Sequence, residues 1–198
     1  MKKRFMRLVF IYPELAATVL AIFLSVHAAK ADKFSISGDT LLYNSELAET
    51  DDEQGINWDD SERLEKLLRE NPDIKVLHLE SLGGSVEAAR HIADVVIDYE
   101  LDTFVDGECS SSCVTVFLGG DRRKLARGSW LGFHKSYWGH ESIKDYYDSN
   151  REENSWSDPF EFAEWLYEDT QVEILIDFEY MLERGVRPDF VIKTLKAD

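Results

Sequence analysis

Hydrophobic and polar residues follow two alternating spacings along this chain, a period of two and a period of about 3.6. Phe34 to Leu42 alternates as a β-strand does, with an interruption at Gly38-Asp39, and Lys75 to Glu80 has the pattern of a second strand. Val86 to Tyr99 repeats its apolar residues at helical spacing, and Leu101 to Val105 returns to a strand pattern. The pattern therefore predicts strands and helices in regular alternation.

Two further regions extend this pattern towards the two ends of the chain. The acidic stretch from Glu46 to Asp60 is rich in turn-forming residues and predicts an exposed loop. Asp60-Ser61 is placed to cap a helix that ends at Asn71-Pro72. Downstream, Phe160 to Glu183 has the spacing of a long amphipathic helix, and Pro188 begins a last short helix.

The middle of the chain completes the predicted architecture. Ser110 to Leu118 reads as a helix of small and apolar residues, and Lys124 to Ala126 and Trp130 to Phe133 read as two short strands. Strands joined through helices by short connections predict an α/β fold of repeated βαβ units over a mostly parallel sheet, with helices at the C-terminus. In such folds ligands bind at the carboxyl ends of the strands.

Three segments with reactive or unusual residues stand at the predicted carboxyl ends of strands. Gly107 to Cys113 contains three serines where a strand turns into a helix, a geometry that exposes a nucleophile beside free backbone N–H groups. Ser81 to Ser85 is a glycine turn between a strand and a helix, and His134 closes a later strand. Because histidine can deprotonate a serine hydroxyl, the three segments together predict acyl-transfer chemistry.

The composition changes after His134. Residues 135–159 are rich in Tyr, Trp, Ser, Asp and Asn, and do not continue the alternation of strands and helices. We predict that this segment is a lid-like insertion. Its aromatic side chains are more often packing residues of such a lid, and contact with a substrate or a partner is the alternative.

The N-terminal residues 1–31 have the pattern of a secretory signal. Four basic residues are followed by an apolar run from Leu15 to Val26 and by Ala29-Lys30-Ala31, the small residues typical of a cleavage site. Cleavage there leaves residues 32–198 as a single domain in the periplasm or outside the cell. An uncleaved inner-membrane anchor is the alternative, although Pro13-Glu14 interrupts the apolar run.

The charge of the chain restricts its partners. The net charge is −17, and removal of the signal takes away five of the 22 basic residues and one of the 39 acidic residues, which leaves −21. Such acidity argues against nucleic acid as a partner, and against a membrane except through an uncleaved N-terminus. No phosphate-binding Gly-x4-Gly-Lys-Ser/Thr motif occurs, and no cofactor is expected.

The only two cysteines are Cys109 and Cys113. A zinc site would need two further ligands, and the histidines do not cluster suitably. An even cysteine count in an exported protein favours a disulfide, and residues four apart on a helix have Cα atoms about 6 Å apart, within disulfide range. The alternative is that both are small core residues, and the oxidation state stays open.

The order of these motifs resembles the proteolytic subunit of Clp protease and its crotonase-fold relatives. The shared order is strand-Ser-x-Gly-Gly-helix, strand-Gly-x3-Ser-helix and strand-His, and the likeness extends from Phe34 to Asp198. The spacing of Cys109, Ser111 and Cys113 adds a resemblance to small exported Clp-protease-like proteins. The resemblance implies a ClpP/crotonase-like spiral of βαβ units.

The resemblance also implies roles for individual residues. Ser111, four residues after Gly107, matches the nucleophile, and His134 matches the general base. The main-chain N–H groups of Gly84 and Ser112 match the donors of the oxyanion hole. The family's proline in the glycine turn is replaced here by Leu82.

The acid of the family's triad has no clear counterpart in this chain. The alignment of the last helix places Thr194 at its position, with Asp198 one turn further on and Asp189 near the start of that helix. Replacement of the acid lowers the rate about 10⁴-fold in a serine protease, because the acid orients the imidazole. A backbone carbonyl, the Thr194 hydroxyl or a nearby carboxylate are the candidates for that role.

Two functions are consistent with these residues. The first is a serine hydrolase, a peptidase of the bacterial envelope with a peptide or protein substrate, in which Ser111 attacks and His134 transfers the proton. The second is a catalytically inactive binding or scaffold protein on the same fold. The resemblance leaves self-association into a homo-oligomer open for both, and an acyl-thioester enzyme of the crotonase type is disfavoured because acyl-CoA substrates are cytosolic.

Overall fold

The fold is built on a sheet in which only the first strand runs antiparallel. The computed structural model describes residues 32–48, 53–135 and 138–196, so the predicted signal at residues 1–31 lies outside the described residues. The strands of the described part are β1 (Phe34–Ser37), β2 (Thr40–Asn44), β3 (Val76–Ser81), β4 (Asp102–Ser110), β5 (Arg123–Leu125) and β6 (Trp130–Gly132). The hydrogen-bonded order is β1-β2-β3-β4-β5, and β6 pairs with the end of β4. The predicted α/β class with a mostly parallel sheet is confirmed.

Helices connect the parallel strands and close the C-terminus. They are α1 (Trp58–Glu70), α2 (Val86–Asp98), α3 (Ser112–Gly119), α4 (His140–Asn150), α5 (Pro159–Glu183) and α6 (Pro188–Thr194). The first three link β2 to β3, β3 to β4 and β4 to β5 in turn. No helix in the described ranges is both long enough and apolar enough to cross a membrane.

The core lies between the sheet and helices α1, α2 and α3. Alternate residues of β2 and β3 are fully buried, because every second side chain of a strand faces the same side. The helices contribute apolar stripes at helical spacing, for example Leu64 and Leu68 on α1. The largest fully buried apolar side chains are Tyr43, Leu41, Leu64, Leu77, Leu79, Ile92, Leu101, Val96, Val105, Val116 and Val191. Burial of each large aliphatic side chain contributes about 1.5–3 kcal/mol.

The parallel strands bring three segments to one edge of the sheet. Ser81 at the end of β3 pairs with Cys109 near the end of β4, and Ser110 pairs with Gly132 at the end of β6. The glycine turn (residues 81–85), the strand-to-helix turn at Ser111 and His134 therefore meet at the carboxyl edge, as the order of motifs predicted.

Strand β4 and helix α1 are among the elements whose boundaries differ from the sequence predictions. Strand β4 continues to Ser110 because it pairs with both β3 and β6, so the following helix begins at Ser112 and not at Ser110. Helix α1 begins at Trp58, and the prediction that Asp60 caps it is wrong. Asn57 is the N-cap: its side chain accepts the Asp60 N–H at 3.1 Å, and Asp60 accepts the Asn57 N–H at 3.0 Å.

The loop between β2 and α1 is not wholly exposed, in contrast to the prediction for residues 46–60. Ile56 is only 2% exposed and belongs to the hydrophobic core. It forms an isolated parallel bridge with Gly84, far along the chain. The acidic, turn-rich composition of the loop concealed this anchoring residue.

The long helix α5 is confirmed and is held against the domain by polar contacts. Arg90 on α2 contacts Asp177 at 2.7 Å, and the Tyr180 hydroxyl donates to the Thr115 carbonyl oxygen at 2.9 Å. Arg184, which follows the helix, donates to the Leu118 carbonyl oxygen at 2.8 Å. The bond from Arg184 satisfies a carbonyl group in the last turn of α3, where no further helical turn supplies an N–H donor.

The segment predicted as a lid contains helix α4 and a cluster of aromatic rings. Tyr146 is stacked with Trp165 at 5.6 Å between ring centroids, and Trp156 lies 4.9 Å from Phe162, which is buried. These rings attach the segment to the beginning of α5. Its role as a lid stays a prediction.

Candidate active site

Ser111 occupies a turn of unusual backbone geometry between β4 and α3. Its φ is 56° and its ψ is −131°, so a non-glycine residue adopts a positive φ. Such a conformation costs about 1–3 kcal/mol and persists only where surrounding contacts enforce it. One of these contacts is the hydrogen bond from the Ser111 N–H to the Gly132 carbonyl oxygen at 2.8 Å. The conformation projects the serine side chain away from both elements, as in the strand-to-helix turns that carry nucleophiles.

A disulfide connects the two sides of this turn. Cys109 and Cys113 are bonded with their Cα atoms 5.4 Å apart, and both are completely buried. The spacing of four residues predicted two cysteines on one helix. Cys109 instead lies on β4 and Cys113 on α3. The disulfide therefore spans the junction at Ser111 and restrains the angle between strand and helix.

The predicted base lies within hydrogen-bond distance of the predicted nucleophile. The Ser111 Oγ is 2.7 Å from the His134 Nε2, and the His134 Nδ1 is 2.8 Å from the carbonyl oxygen of Lys135. A carbonyl oxygen only accepts, so we assign the proton to Nδ1, which leaves Nε2 to accept the serine hydroxyl hydrogen. This is the tautomer that a general base for Ser111 requires.

The glycine turn approaches Ser111 so closely that side chains are excluded from it. Gly83 and Gly84 have φ values of 108° and 151°. A Cβ on Gly83 would lie 2.7 Å from the Ser111 Cβ, and a Cβ on Gly84 would lie 2.3 Å from the Ile56 nitrogen. Both positions therefore need glycine for space as well as for backbone conformation.

The polar backbone groups of Gly84 lie on the side of the glycine turn away from Ile56. On the opposite side, the Ile56 N–H donates to Gly83 and the Ser85 N–H donates to Ile56, each at 2.8 Å. In such a parallel bridge the polar groups of Gly84 itself point away from Ile56. On that side the Gly84 carbonyl oxygen accepts a hydrogen bond from the Ser112 hydroxyl at 3.1 Å, so the turn lies next to the beginning of α3.

Two main-chain donors thus remain beside Ser111. Within the described ranges, the N–H groups of Gly84 and Ser112 have no acceptor. Ser112 is the first residue of α3, where a backbone N–H has no partner inside the helix and the helix dipole is positive. Two such donors suit an oxygen that gains negative charge when a carbonyl carbon is attacked.

The described candidates for the triad acid do not hydrogen-bond His134. Asp189 forms a two-bond ion pair with Arg187 at 2.6 and 2.9 Å, and that guanidinium lowers the pKa of the carboxyl. The buried Thr194 hydroxyl donates to the Val191 carbonyl oxygen at 2.8 Å. Asp198 lies outside the described residues. Among the described residues, the Lys135 carbonyl oxygen contacts the His134 Nδ1 and orients the imidazole.

Helix α6 nevertheless lies close to the residues that follow β6. Phe190 on α6 contacts Phe133 edge to face, with ring centroids 5.0 Å apart. This contact supports the residue immediately before His134, so α6 contributes to the site through packing.

Sequence reasoning did not identify two residues that shape the site. Ile56 bridges the glycine turn, and Gly132 accepts the hydrogen bond of the Ser111 N–H. A Cβ on Gly132 would lie 2.9 Å from the Ser110 Cβ and 2.1 Å from its Oγ, so a larger residue would displace Ser110. The position of Gly132, inside a strand and two residues before a candidate base, was an available signal for close backbone approach.

The described residues do not converge on a metal ion. No group of three or more His, Cys, Asp or Glu side chains in residues 32–48, 53–135 and 138–196 is arranged to hold one. The candidate reactive groups of the site are a hydroxyl, an imidazole and backbone N–H groups, the groups that a serine nucleophile uses in acyl transfer.

Comparison with known proteins gives a likeness in fold. No protein-family model matches the chain, and no curated protein sequence matches it. ClpP1 from Listeria monocytogenes has a similar structure, with a TM-score of 0.50 and 17% identity over 81% of each chain. A variant of the same Listeria protein gives a TM-score of 0.52 and 17% identity, over 79% of this chain and 78% of that one. In its described strands and helices, the chain has the same fold as these ClpP protease structures.

Proposed function

We propose that this protein is a serine hydrolase of the bacterial envelope that cleaves peptide bonds. The observation that carries the proposal is the 2.7 Å contact between the Ser111 Oγ and the His134 Nε2 at a turn of positive φ. Neither side chain is buried, since Ser111 is half-buried and His134 is exposed. Packing alone therefore does not explain the contact between them.

The proposed reaction begins with attack of the Ser111 hydroxyl on a carbonyl carbon. As the bond from Oγ to carbon forms, the hydroxyl proton moves to the His134 Nε2 and the carbonyl oxygen becomes an oxyanion. The N–H groups of Gly84 and Ser112 stabilise this oxyanion, and removal of one such donor costs about 10²–10³ in rate in a serine protease. The His134 imidazolium then protonates the leaving amine, and water releases the acyl group from Ser111 by the same sequence of steps.

The substrate class and the location rest on separate arguments. The likeness to ClpP protease structures favours a peptide or protein substrate, with identity of only 17%. The signal pattern in residues 1–31 and the disulfide between Cys109 and Cys113 both favour an oxidising compartment such as the periplasm. Self-association of the chain is part of the proposal, and sedimentation velocity of residues 32–198 tests it.

A fluorophosphonate probe tests the nucleophile directly. We expect the wild-type protein to be labelled and the Ser111→Ala variant not to be. Ser110→Ala is the matched control, because Ser110 is the neighbouring serine and its hydroxyl contacts Glu108, 2.7 Å away, instead of His134. Labelling that persists in Ser111→Ala, or that is absent from folded wild-type protein, contradicts the proposal. The second outcome would favour an inactive binding protein on the same fold.

A further inference from the structure

A buried ion pair lies behind the candidate active site and takes no part in the proposed reaction. The Lys33 Nζ contacts the Asp60 Oδ2 at 2.9 Å, and the two side chains are 8% and 6% exposed. Removal of two charges from water costs about as much as their attraction returns, so a buried pair adds little net stability. The ion pair therefore matters chiefly for the backbone geometry that its hydrogen bonds fix.

The pair contacts both ends of one short segment, residues 55–57. The Lys33 Nζ also donates to the Gly55 carbonyl oxygen at 2.8 Å, and the Asp60 Oδ2 accepts the Asn57 N–H at 3.0 Å. The same Asp60 oxygen accepts the hydroxyl of Tyr43 at 2.7 Å, and Tyr43 is a fully buried residue of β2. The segment is thereby connected to the central sheet by side-chain hydrogen bonds.

Residues 55–57 lie directly against the glycine turn. Ile56 exchanges two hydrogen bonds of 2.8 Å with Gly83 and Ser85. The backbones are also in close contact: a Cβ on Gly55 would lie 2.9 Å from the Gly83 carbonyl oxygen. Because there is no free space between the two segments, a shift of residues 55–57 moves the peptide of Gly84 with them.

We propose that Lys33 and Asp60 are positioning residues for the oxyanion hole. They hold residues 55–57 against the glycine turn, and this contact aims the Gly84 N–H at the oxygen of the attacked carbonyl. The inference rests on the proposed hydrolase function. Lys33 and Asp60 do not contact the reacting groups, so the sequence alone does not indicate this role for them.

The test uses variants that keep side-chain size and remove the contacts. Lys33→Met retains the length of the side chain and loses its charge and its bond to Gly55. Arg63→Met is the matched control: Arg63 and Asp32 form an exposed ion pair between the same two parts of the chain, without a contact to residues 55–57. Hydrolysis of p-nitrophenyl acetate by residues 32–198 gives kcat and KM.

We expect Lys33→Met to lower kcat roughly 10–100-fold with KM within about twofold, because the lost contact aligns a donor that acts in the transition state. Lys33→Arg should recover most of the rate, and Arg63→Met should retain wild-type kcat. A kcat for folded Lys33→Met within about twofold of wild type overturns the inference. If Lys33→Met does not fold, Asp60→Asn is measured in its place with the same two outcomes.

Amide hydrogen exchange separates failure of this inference from failure of the proposed function. In the Ser111→Ala background, Lys33→Met should accelerate exchange roughly tenfold in peptides that cover residues 82–86, and leave α3 unchanged. Equal exchange at residues 82–86 overturns the positioning role whether or not the protein is an enzyme. Absence of probe labelling in the wild type, with accelerated exchange in the variant, contradicts only the hydrolase function.

Discussion

Replacement of both Cys109 and Cys113 with alanine removes the covalent link across the Ser111 turn. The linked residues are four apart in the sequence, and the chain-entropy relation gives about 2 kcal/mol for so short a ring. The positive φ of Ser111, 56°, costs about 1–3 kcal/mol in a non-glycine residue. The two energies are of similar size, so the stabilisation from the disulfide offsets much of the conformational cost of the positive φ at Ser111.

We therefore expect the double variant to lose about 2 kcal/mol of unfolding free energy. For a domain of this length the loss lowers Tm by roughly 4–8 °C, which circular dichroism measures on heating. The Ser111 turn should also relax, so the rate of fluorophosphonate labelling should fall roughly 10-fold at a temperature where the variant is folded.

Val114→Ala is the control for this experiment. Val114 is a buried residue of the same helix, 2% exposed, and its truncation removes packing without removing a cross-link. It should lower the unfolding free energy by about 1–3 kcal/mol and keep the wild-type labelling rate. Wild-type labelling by the folded double variant would refute the argument, as would an equal loss of labelling in Val114→Ala.

Two further predictions concern stability and pH. Gly84→Ala should destabilise the protein more than Gly107→Ala in urea unfolding and should abolish probe labelling: both glycines have positive φ, but only at Gly84 would the new Cβ meet a neighbour, 2.3 Å away. Equal losses would contradict this. Tyr180→Phe should cost about 1 kcal/mol, because the hydroxyl donates to Thr115. Burial raises the pKa of Tyr180 from 10.0 to about 12. The contribution of the neutral Tyr180 side chain to the unfolding free energy is therefore complete below pH 10 and is lost as the pH rises through 12. Thermal unfolding between those values should show a shallower loss with pH in Tyr180→Phe than in the wild type.

The sequence was most informative where structure depends on neighbouring residues. The hydrophobic pattern around Gly107 to Cys113 predicted a strand, a sharp turn and a helix. Periods of two and 3.6 residues indicate which face of each element is buried. The boundary was wrong by two residues at Ser110, since β4 is extended by pairing with β3 and β6. Pairing partners far along the chain leave no local pattern.

The candidate site shows the same division. Ser111 and His134 could be nominated from their places at strand ends, and the structure places them 2.7 Å apart. The contact between His134 and the Lys135 carbonyl oxygen could not be predicted from the sequence. A backbone carbonyl is present at every residue and therefore gives no sequence signal. Asp189 was a reasonable candidate from its position, but an adjacent guanidinium already pairs with it.

By itself the sequence determined the alternation of elements, the glycine turn, the cysteine pair and the residues at the carboxyl edge of the sheet. Each follows from backbone preferences and side-chain spacing within a few residues. Only the tertiary structure decided that Ile56 bridges Gly84, that Lys33 and Asp60 hold that bridge, and that the disulfide spans a strand and a helix. These contacts join residues as far apart as Ile56 and Gly84, 28 positions along the chain, and such close packing depends on the whole fold.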